Sequence, residues 1–334
     1  MSKIGVGVVG LGRIGRLHAE ILKYKVENAE LVAVSDVIEN LARSVGERLG
    51  VQWYTDYDKM LENKNIDAVV ISVPTFLHKD MIIKALEHGK HVFVEKPMTV
   101  TVDEAREVMS SVKKHGLKLQ VGFNRRFDYA YLNAKKRIDE GEIGRPITYI
   151  SIARDPGAPP RWAADPKKSG GIFLDMLSHD FDMARFLIGE VTEVFVMGGN
   201  YIYDDLKASG DLDVVNIVFK FENGAQGLIH GARKFPYGYE LRTEIYGSEG
   251  VIYIGSNIDN MFAIGTNQGL TYFGAPWFEK RFYEAYVNEL KAFIDSIIKD
   301  IEPPVTVIDG LRTVQIAEAC WKSYKEGKSI KVEL

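Results

Sequence analysis

Ile4-Gly5-Val6-Gly7-Val8-Val9-Gly10-Leu11-Gly12-Arg13-Ile14-Gly15 is the stretch that decides the fold. An apolar run rich in Val and Ile ends in three glycines spaced Gly-x-Gly-x-x-Gly, and residues 16–25 then carry a helical pattern. Each glycine has a separate physical task. Gly10 permits a tight turn, Gly12 lets the backbone approach a pyrophosphate, and Gly15 lets helix and strand pack closely. The helix start offers unpaired N–H groups and a positive dipole end to phosphate. Arg13 and Ile14 lie in the same turn. Asp36 stands 21 residues after Gly15 at the end of the next apolar run, against an expected spacing of about 20. Its carboxylate can accept hydrogen bonds from both ribose hydroxyls and repels a 2′-phosphate; Val37 supplies no compensating charge. The pattern predicts NAD as cofactor. The alternative is a glycine-rich turn beside a solvated acid.

Outward from this turn, short apolar runs alternate with helical patterns. Residues 31–35, 68–73, 91–94 and 117–121 read as strands, and 39–49, 79–87 and 102–115 as helices. Thr101 and Glu104 are spaced as a capping box and Gly116 as a helix stop. Buried strands alternating with helices predict a parallel sheet covered on both faces, an α/β Rossmann domain over residues 1–122. Ligands bind at the carboxyl ends of such strands. Ser72, Val73, Pro74, Thr75 and His78 are therefore expected near the nicotinamide, with the alternative that His78 faces solvent from a first helical turn. Glu95 and Lys96 are delivered to the same edge. A lysine there can polarise a hydroxyl or ketone oxygen; the alternative is a surface ion pair.

The pattern changes after Gly122. Residues 213–221 and 225–232 flank Asn223-Gly224, a strong hairpin signal, and 241–246 and 251–254 flank a second turn. Residues 123–334 are expected to form an α+β domain with an open, mainly antiparallel sheet. Residues 173–187 read as one helix, apolar nearly all round and so buried. At about 100° per residue, His179 lies about 40° from Asp175 and Asp182 about 20° the other way. Three ionisable groups on one face of a buried helix call for a polar counterpart. A neutral imidazole there suits a general base, with Asp175 to orient it or to bind a substrate hydroxyl. The alternative is a core histidine satisfied by its neighbours.

The 334 residues suggest two domains. A net charge of −4 gives no footprint for nucleic acid or an anionic membrane. The single cysteine, Cys320, excludes an intrachain disulfide and a thiolate metal cluster, and reads as ordinary packing. The seven histidines form no His-Glu-x-x-His pattern, so no metal is expected. With no signal-like or membrane-spanning stretch, the expected location is the cytoplasm. Val215, Ile217 and Phe219 alternate along one strand and are expected to form an apolar face covered by another subunit.

Gly-x-Gly-x-x-Gly at 10–15, Glu95-Lys96-Pro97, and Asp175-x-x-x-His179 after Gly170-Gly171 occur together and in this order. In this the chain resembles the glucose–fructose oxidoreductase / inositol dehydrogenase / rhizopine catabolism (Gfo/Idh/MocA) family along its whole length. Gly122-Phe123-Asn124-Arg125-Arg126-Phe127-Asp128, Arg154-Asp155-Pro156 and Tyr237-Gly238-Tyr239 look like segments of its inositol dehydrogenase branch. The resemblance implies Lys96, Asp175 and His179 as the catalytic group, and Arg126, Asp155 and Tyr239 as polyol contacts. It implies reversible oxidation of a cyclitol ring hydroxyl, myo-inositol to its 2-ketone, by a homotetramer. Asn124 departs from the apolar residue expected at its position. The rival readings are a dehydrogenase of another sugar or polyol, a glycosidase that uses NAD transiently, and a non-catalytic NAD-binding regulator.

Overall fold

The computed structural model describes residues 3–236, 238–255, 263–266, 269–272 and 277–334. They form two compact units, Met1–Asn124 with Glu284–Val314, and Arg125–Tyr283 with Gln315–Leu334.

In the first unit the chain runs β1 (Ile4–Val9), α1 (Arg13–Tyr24), β2 (Ala29–Ser35), α2 (Glu39–Leu49), β3 (Gln52–Tyr54), α3 (Tyr57–Leu61), β4 (Ala68–Ile71), α4 (His78–Glu87), β5 (His91–Glu95), α5 (Val102–His115) and β6 (Leu119–Gly122). The strands lie in the order β3-β2-β1-β4-β5-β6, and all pairs are parallel. The order reverses between β1 and β4, the switch point at which such sheets bind dinucleotides. Val6, Val8, Val69, Val70, Val92 and Phe93 are fully buried, as expected of strands covered on both faces. The capping box at Thr101 forms as expected.

The second unit contains α6 (Tyr129–Asp139), β7 (Pro146–Arg154), α7 (Pro166–Ser169), a π-helical turn (Ile172–Met176), α8 (Ser178–Leu187), β8 (Val191–Gly199), α9 (Asp204–Ser209), β9 (Val214–Phe221), β10 (Gln226–Ala232), β11 (Glu240–Gly247), β12 (Val251–Ile254), β13 (Ala263–Thr266), β14 (Gly269–Tyr272) and α10 (Phe278–Arg281). Helices α11 (Tyr283–Ile298) and α12 (Val307–Glu326) and strand β15 (Ile330–Lys331) complete the chain. Seven strands form a sheet in the order β12-β11-β7-β10-β9-β8-β15, antiparallel except for the β7–β10 pair.

Three expectations need correction. The division at 122/123 assigned everything after it to the second domain, yet residues 284–314 belong to the first unit. Phe293 on α11 packs edge-on against Phe93 of β5. The Gln120 side chain of β6 donates to the Glu289 carbonyl at 2.8 Å, and the Val121 N–H donates to the Val305 carbonyl. Second, Val215, Ile217 and Phe219 do not form a face awaiting a subunit. They are buried within this chain; along β9 the exposed positions are Asn216, Val218 and Lys220. Third, residues 173–187 are not one α-helix. A π-helical turn ends at Met176 and α8 begins at Ser178. Cys320 is fully buried, and that burial pushes its thiol well above the ordinary range.

Candidate active site

The cofactor elements stand on the carboxyl edge of the parallel sheet. Gly10 adopts φ +84°, and a Cβ there would lie 2.6 Å from the Ser72 carbonyl oxygen. A Cβ on Gly15 would lie 1.7 Å from the Gly10 carbonyl oxygen, so the contact of helix with turn tolerates only hydrogen. At Gly12 a Cβ would meet nothing within 4 Å. The space that a close-lying pyrophosphate needs is therefore open at the one glycine expected to admit it. Gly12 is also the N-cap of α1, and no side chain caps the helix. A helix start of this kind offers N–H groups to phosphate oxygens.

Asp36 follows β2. Its two carboxylate oxygens accept from the N–H groups of Leu11 and Ile38 at 2.8 and 2.9 Å. The acid is thus pinned to the glycine turn, with lone pairs left for ribose hydroxyls. Val37 is exposed and Arg13 stands at the start of α1. The donor set and the Gly12 opening fit a dinucleotide without a 2′-phosphate.

Ser72, Val73 and Pro74 are half-buried after β4, and Thr75 is buried. His78 is neither a solvent-facing residue nor a free donor. Its ring is buried, with Nδ1 at 2.8 Å from the Pro97 carbonyl and Nε2 at 2.9 Å from the Val73 carbonyl. It ties the Val73 loop to the Lys96–Pro97 loop and acts on a cofactor only through them. Burial lowers its pKa in spite of the two carbonyls. Glu95 ends β5 with one oxygen on His18 Nε2 at 2.6 Å and the other accepting the Lys96 N–H at 3.2 Å. Lys96 is half-buried beyond it.

In the second unit, every residue from Gly171 to Ala184 is buried except Asp175 and His179. The chain thus leaves Asp175 and His179 half-buried and hides their neighbours. The wide π-turn delivers Asp175, and the new helix start delivers His179. Asp182 does not join them. It is fully buried and receives the Arg126 guanidinium through two bonds, at 2.6 and 2.9 Å. Arg126 also faces the Phe186 ring at 5.2 Å. The helical-wheel expectation failed because the break at Leu177 resets the rotation between residues 175 and 182.

Sequence reasoning missed Arg233. Its guanidinium is buried and bridges two acids, Asp175 at 2.8 Å and Asp211 at 2.9 Å. Burial opposes its charge, but the Asp175 and Asp211 carboxylates outweigh burial and hold it protonated. Asp211 in turn accepts the Ile172 N–H at 2.9 Å, fixing the first residue of the π-turn. A single arginine just after a strand gives no periodic signal, which is why it escaped notice. Asp155 follows β7, its N–H donating to the Ala232 carbonyl at 2.9 Å, and it adds to the field at Arg233. Tyr239 is buried, with its hydroxyl 3.5 Å from the Arg125 guanidinium. Burial raises its pKa, so it is a neutral hydrogen-bonding hydroxyl. Tyr237 lies outside the described residues.

Two family models match the chain. One, described as an oxidoreductase family with an NAD-binding Rossmann fold, covers residues 4–123; the other, a GFO/IDH/MocA C-terminal domain, covers 131–253. Among curated relatives, the scyllo-inositol 2-dehydrogenase (NAD(+)) of Bacillus subtilis is 41% identical over 99% of this chain and 97% of its own. The myo-inositol 2-dehydrogenase of Thermotoga maritima is 38% identical over 98% of each. The solved structure of a Lactobacillus casei scyllo-inositol dehydrogenase, with NAD(H) and scyllo-inositol bound, matches with a TM-score of 0.92. It is 32% identical and covers 99% of each chain.

Proposed function

The chain belongs to the Gfo/Idh/MocA oxidoreductase family, and from that premise we propose that it oxidises one ring hydroxyl of a cyclitol with NAD, taking myo-inositol to its 2-ketone. The observation that carries the reading is that Asp175 and His179 alone are only half-buried within a buried stretch, together with the NAD-fitting turn at 10–15. The relatives supply the substrate class. The two curated relatives act on scyllo- and myo-inositol. Oxidation of myo-inositol at C2 and of scyllo-inositol at any carbon gives the same ketone, so one product pocket serves both.

When bound, NAD supplies the nicotinamide carbon that accepts the carbinol hydrogen with its electron pair. His179 takes the hydroxyl proton as general base. Lys96 donates a hydrogen bond to the oxygen as negative charge develops on it. Asp175, held by Arg233, orients the hydroxyl or the imidazole. Asp155 and Tyr239 offer an acceptor and a neutral hydroxyl to further ring hydroxyls, and Arg126 stands as a polyol contact beside its Asp182 pair. A site built for many hydroxyls rejects a ring that lacks them, because its polar groups are then left unpaired. NADH formation with a panel of inositol isomers and aldoses tests the proposal. Activity on myo- or scyllo-inositol is expected, with His179→Ala lowering kcat by about 10²–10⁴-fold and leaving NAD affinity unchanged. A protein inert on every cyclitol but active on a sugar overturns the substrate. An undiminished His179→Ala variant overturns the mechanism.

The enzyme acts as a homotetramer in the cytoplasm on this reading. The support for assembly is the open face of the second sheet. Val218 and Met197 are 48% and 66% exposed there, and Tyr246 and Tyr253 also stand open to solvent. Across the strands Val218 is in register with Phe195 and Leu228, and Leu228 with Ile150, a continuous apolar row. An open apolar patch of this kind marks an interaction surface. Among the described residues no helix is long and apolar enough to cross a membrane. Sedimentation as a monomer at micromolar concentration overturns the assembly.

A further inference from the structure

Glu289, on α11, is fully buried, and neither of its carboxylate oxygens has a hydrogen-bond partner among the described residues. A dry carboxylate anion with no donor is the most unfavourable state this side chain can take. Either a proton or a cation has to neutralise it. The groups facing it are His18 from α1 and Glu95 from β5; one ligating atom from each of the three lies within 4.8 Å of the others. The neutral Gln120 amide bonds the Glu289 backbone from β6. Phe93 and Tyr286 pack edge-on against the His18 ring and close the cluster with aromatic carbon.

The geometry favours the proton. His18 Nε2 and Glu95 Oε1 are already in contact at 2.6 Å. Two ligands of one metal at bond lengths of about 2.1 Å stand roughly 3.4 Å apart. His18 Nδ1 has no partner among the described residues. Placing the ring proton on Nε2 therefore leaves Nδ1 as a bare acceptor rather than a stranded buried N–H. Glu95 then accepts from His18 on one oxygen and from the Lys96 N–H on the other. That second oxygen lies 3.3 Å from where a Cβ on Gly122 would sit, so the carboxylate is folded closely over the adjacent strand.

We propose that Glu289 is a neutral carboxylic acid facing Glu95, and that Glu289, Glu95 and His18 form a linked cluster that sets the course of the backbone at Lys96. Glu289 and His18 are positioning residues for the lysine. Burial, and after it the Glu95 carboxylate, push the Glu289 acid well above the ordinary carboxyl range, in accord with this geometry. The positioning half rests on the role given to Lys96 above; the proton on Glu289 does not.

The sign of the linkage gives a direct test. A carboxyl whose folded pKa is raised contributes stability that is complete below about pH 4.3 and is lost as pH rises. Glu289→Gln mimics the neutral acid and removes this dependence. Urea unfolding of the whole protein is measured for wild type and Glu289→Gln from pH 5 to 7. The wild-type unfolding constant should climb about tenfold per pH unit relative to the variant. A ratio independent of pH overturns the proton. So does one equivalent of divalent cation in purified wild-type protein that Glu289→Gln loses. For positioning, Glu289→Gln should keep kcat and its pH profile within twofold. Glu289→Leu should lower kcat tenfold or more with NAD affinity held; equality of the Leu variant with wild type overturns that half. If Glu289→Leu does not fold, a shifted pH profile in Glu289→Gln overturns it instead. Full turnover by Lys96→Met defeats the role of the lysine, and with it the positioning half, while the unfolding result still decides the proton.

Discussion

Replacing Arg233 by methionine separates a positioning network from mere packing. Methionine fills much of the same volume but leaves Asp175 and Asp211 without their shared cation. Arg233 makes one charge-assisted bond to each acid, at 2.8 and 2.9 Å, in a site where the arginine is 1% exposed. Hydrogen bonds to charged groups contribute about 1.5–3 kcal/mol each, which puts the pair at roughly 3–6 kcal/mol. Breaking a buried ion pair from one side costs about 3–5 kcal/mol, in agreement. At about 2–4 °C per kcal/mol for a unit of this size, Arg233→Met should melt roughly 6–20 °C lower. Turnover should suffer separately. A misplacement of about 1 Å at a reacting group can lower the rate by about 10²-fold. Since Asp175 is oriented through Arg233, kcat should fall on that scale while the KM for NAD stays put. Adding Asp211→Asn to Arg233→Met removes one stranded charge and should recover part of the stability. It should recover no turnover, because Asp175 is still unheld. Differential scanning fluorimetry and steady-state kinetics read both effects. An Arg233→Met protein with unaltered melting and full kcat would refute the reasoning.

Two further outcomes follow from the cofactor unit. Asp36 should make the enzyme prefer NAD: like charges about 4 Å apart near a protein surface repel by about 4 kcal/mol, about a thousandfold. Equal kcat/KM for NADP and NAD in the wild type would contradict this, and Asp36→Ser should narrow the gap. The buried histidines should take away stability as pH drops below about 6.5, opposite in sign to the Glu289 contribution. His78, His91 and His230 are all lowered by burial, with Lys118 and Arg154 assisting at the last two, so each stays neutral in the folded chain while the unfolded chain gains protons. His78→Gln should flatten the slope of melting temperature between pH 5 and 6.5; an unchanged slope counts against the burial argument.

The cofactor half was legible because its function is written in local backbone constraints. Gly10, Gly12 and Gly15 each answer to a contact within the turn or to the space beside it, and Asp36 closes on the same turn through Leu11. The short elements β3 and α3 were not legible, since three to five residues carry no readable period. His78 was read as a residue beside the nicotinamide, and the structure gives both its ring nitrogens to backbone carbonyls. A sequence shows that a histidine can reach a loop, not that two carbonyls will take both its nitrogens.

The second half failed where a period was carried through a change of helix type. Asp175, His179 and Asp182 share a stripe only on an unbroken α-helix. The π-turn moves Asp175 to Arg233 and leaves Asp182 to Arg126, so two arginines distant in sequence decide which acid becomes a partly exposed group and which a buried staple. The same limit explains β9. Alternation at Val215, Ile217 and Phe219 shows that one face is apolar, yet it cannot say whether this chain or another covers it. Here α8 and its neighbours fill that role: Leu177, just before α8, stands 2.9 Å from where a Cβ on Gly231 of the adjacent β10 would lie. The face that stays open is the opposite one, carried by Val218, Leu228 and Ile150, where polar residues interrupt the apolar row and blur its signal in the sequence.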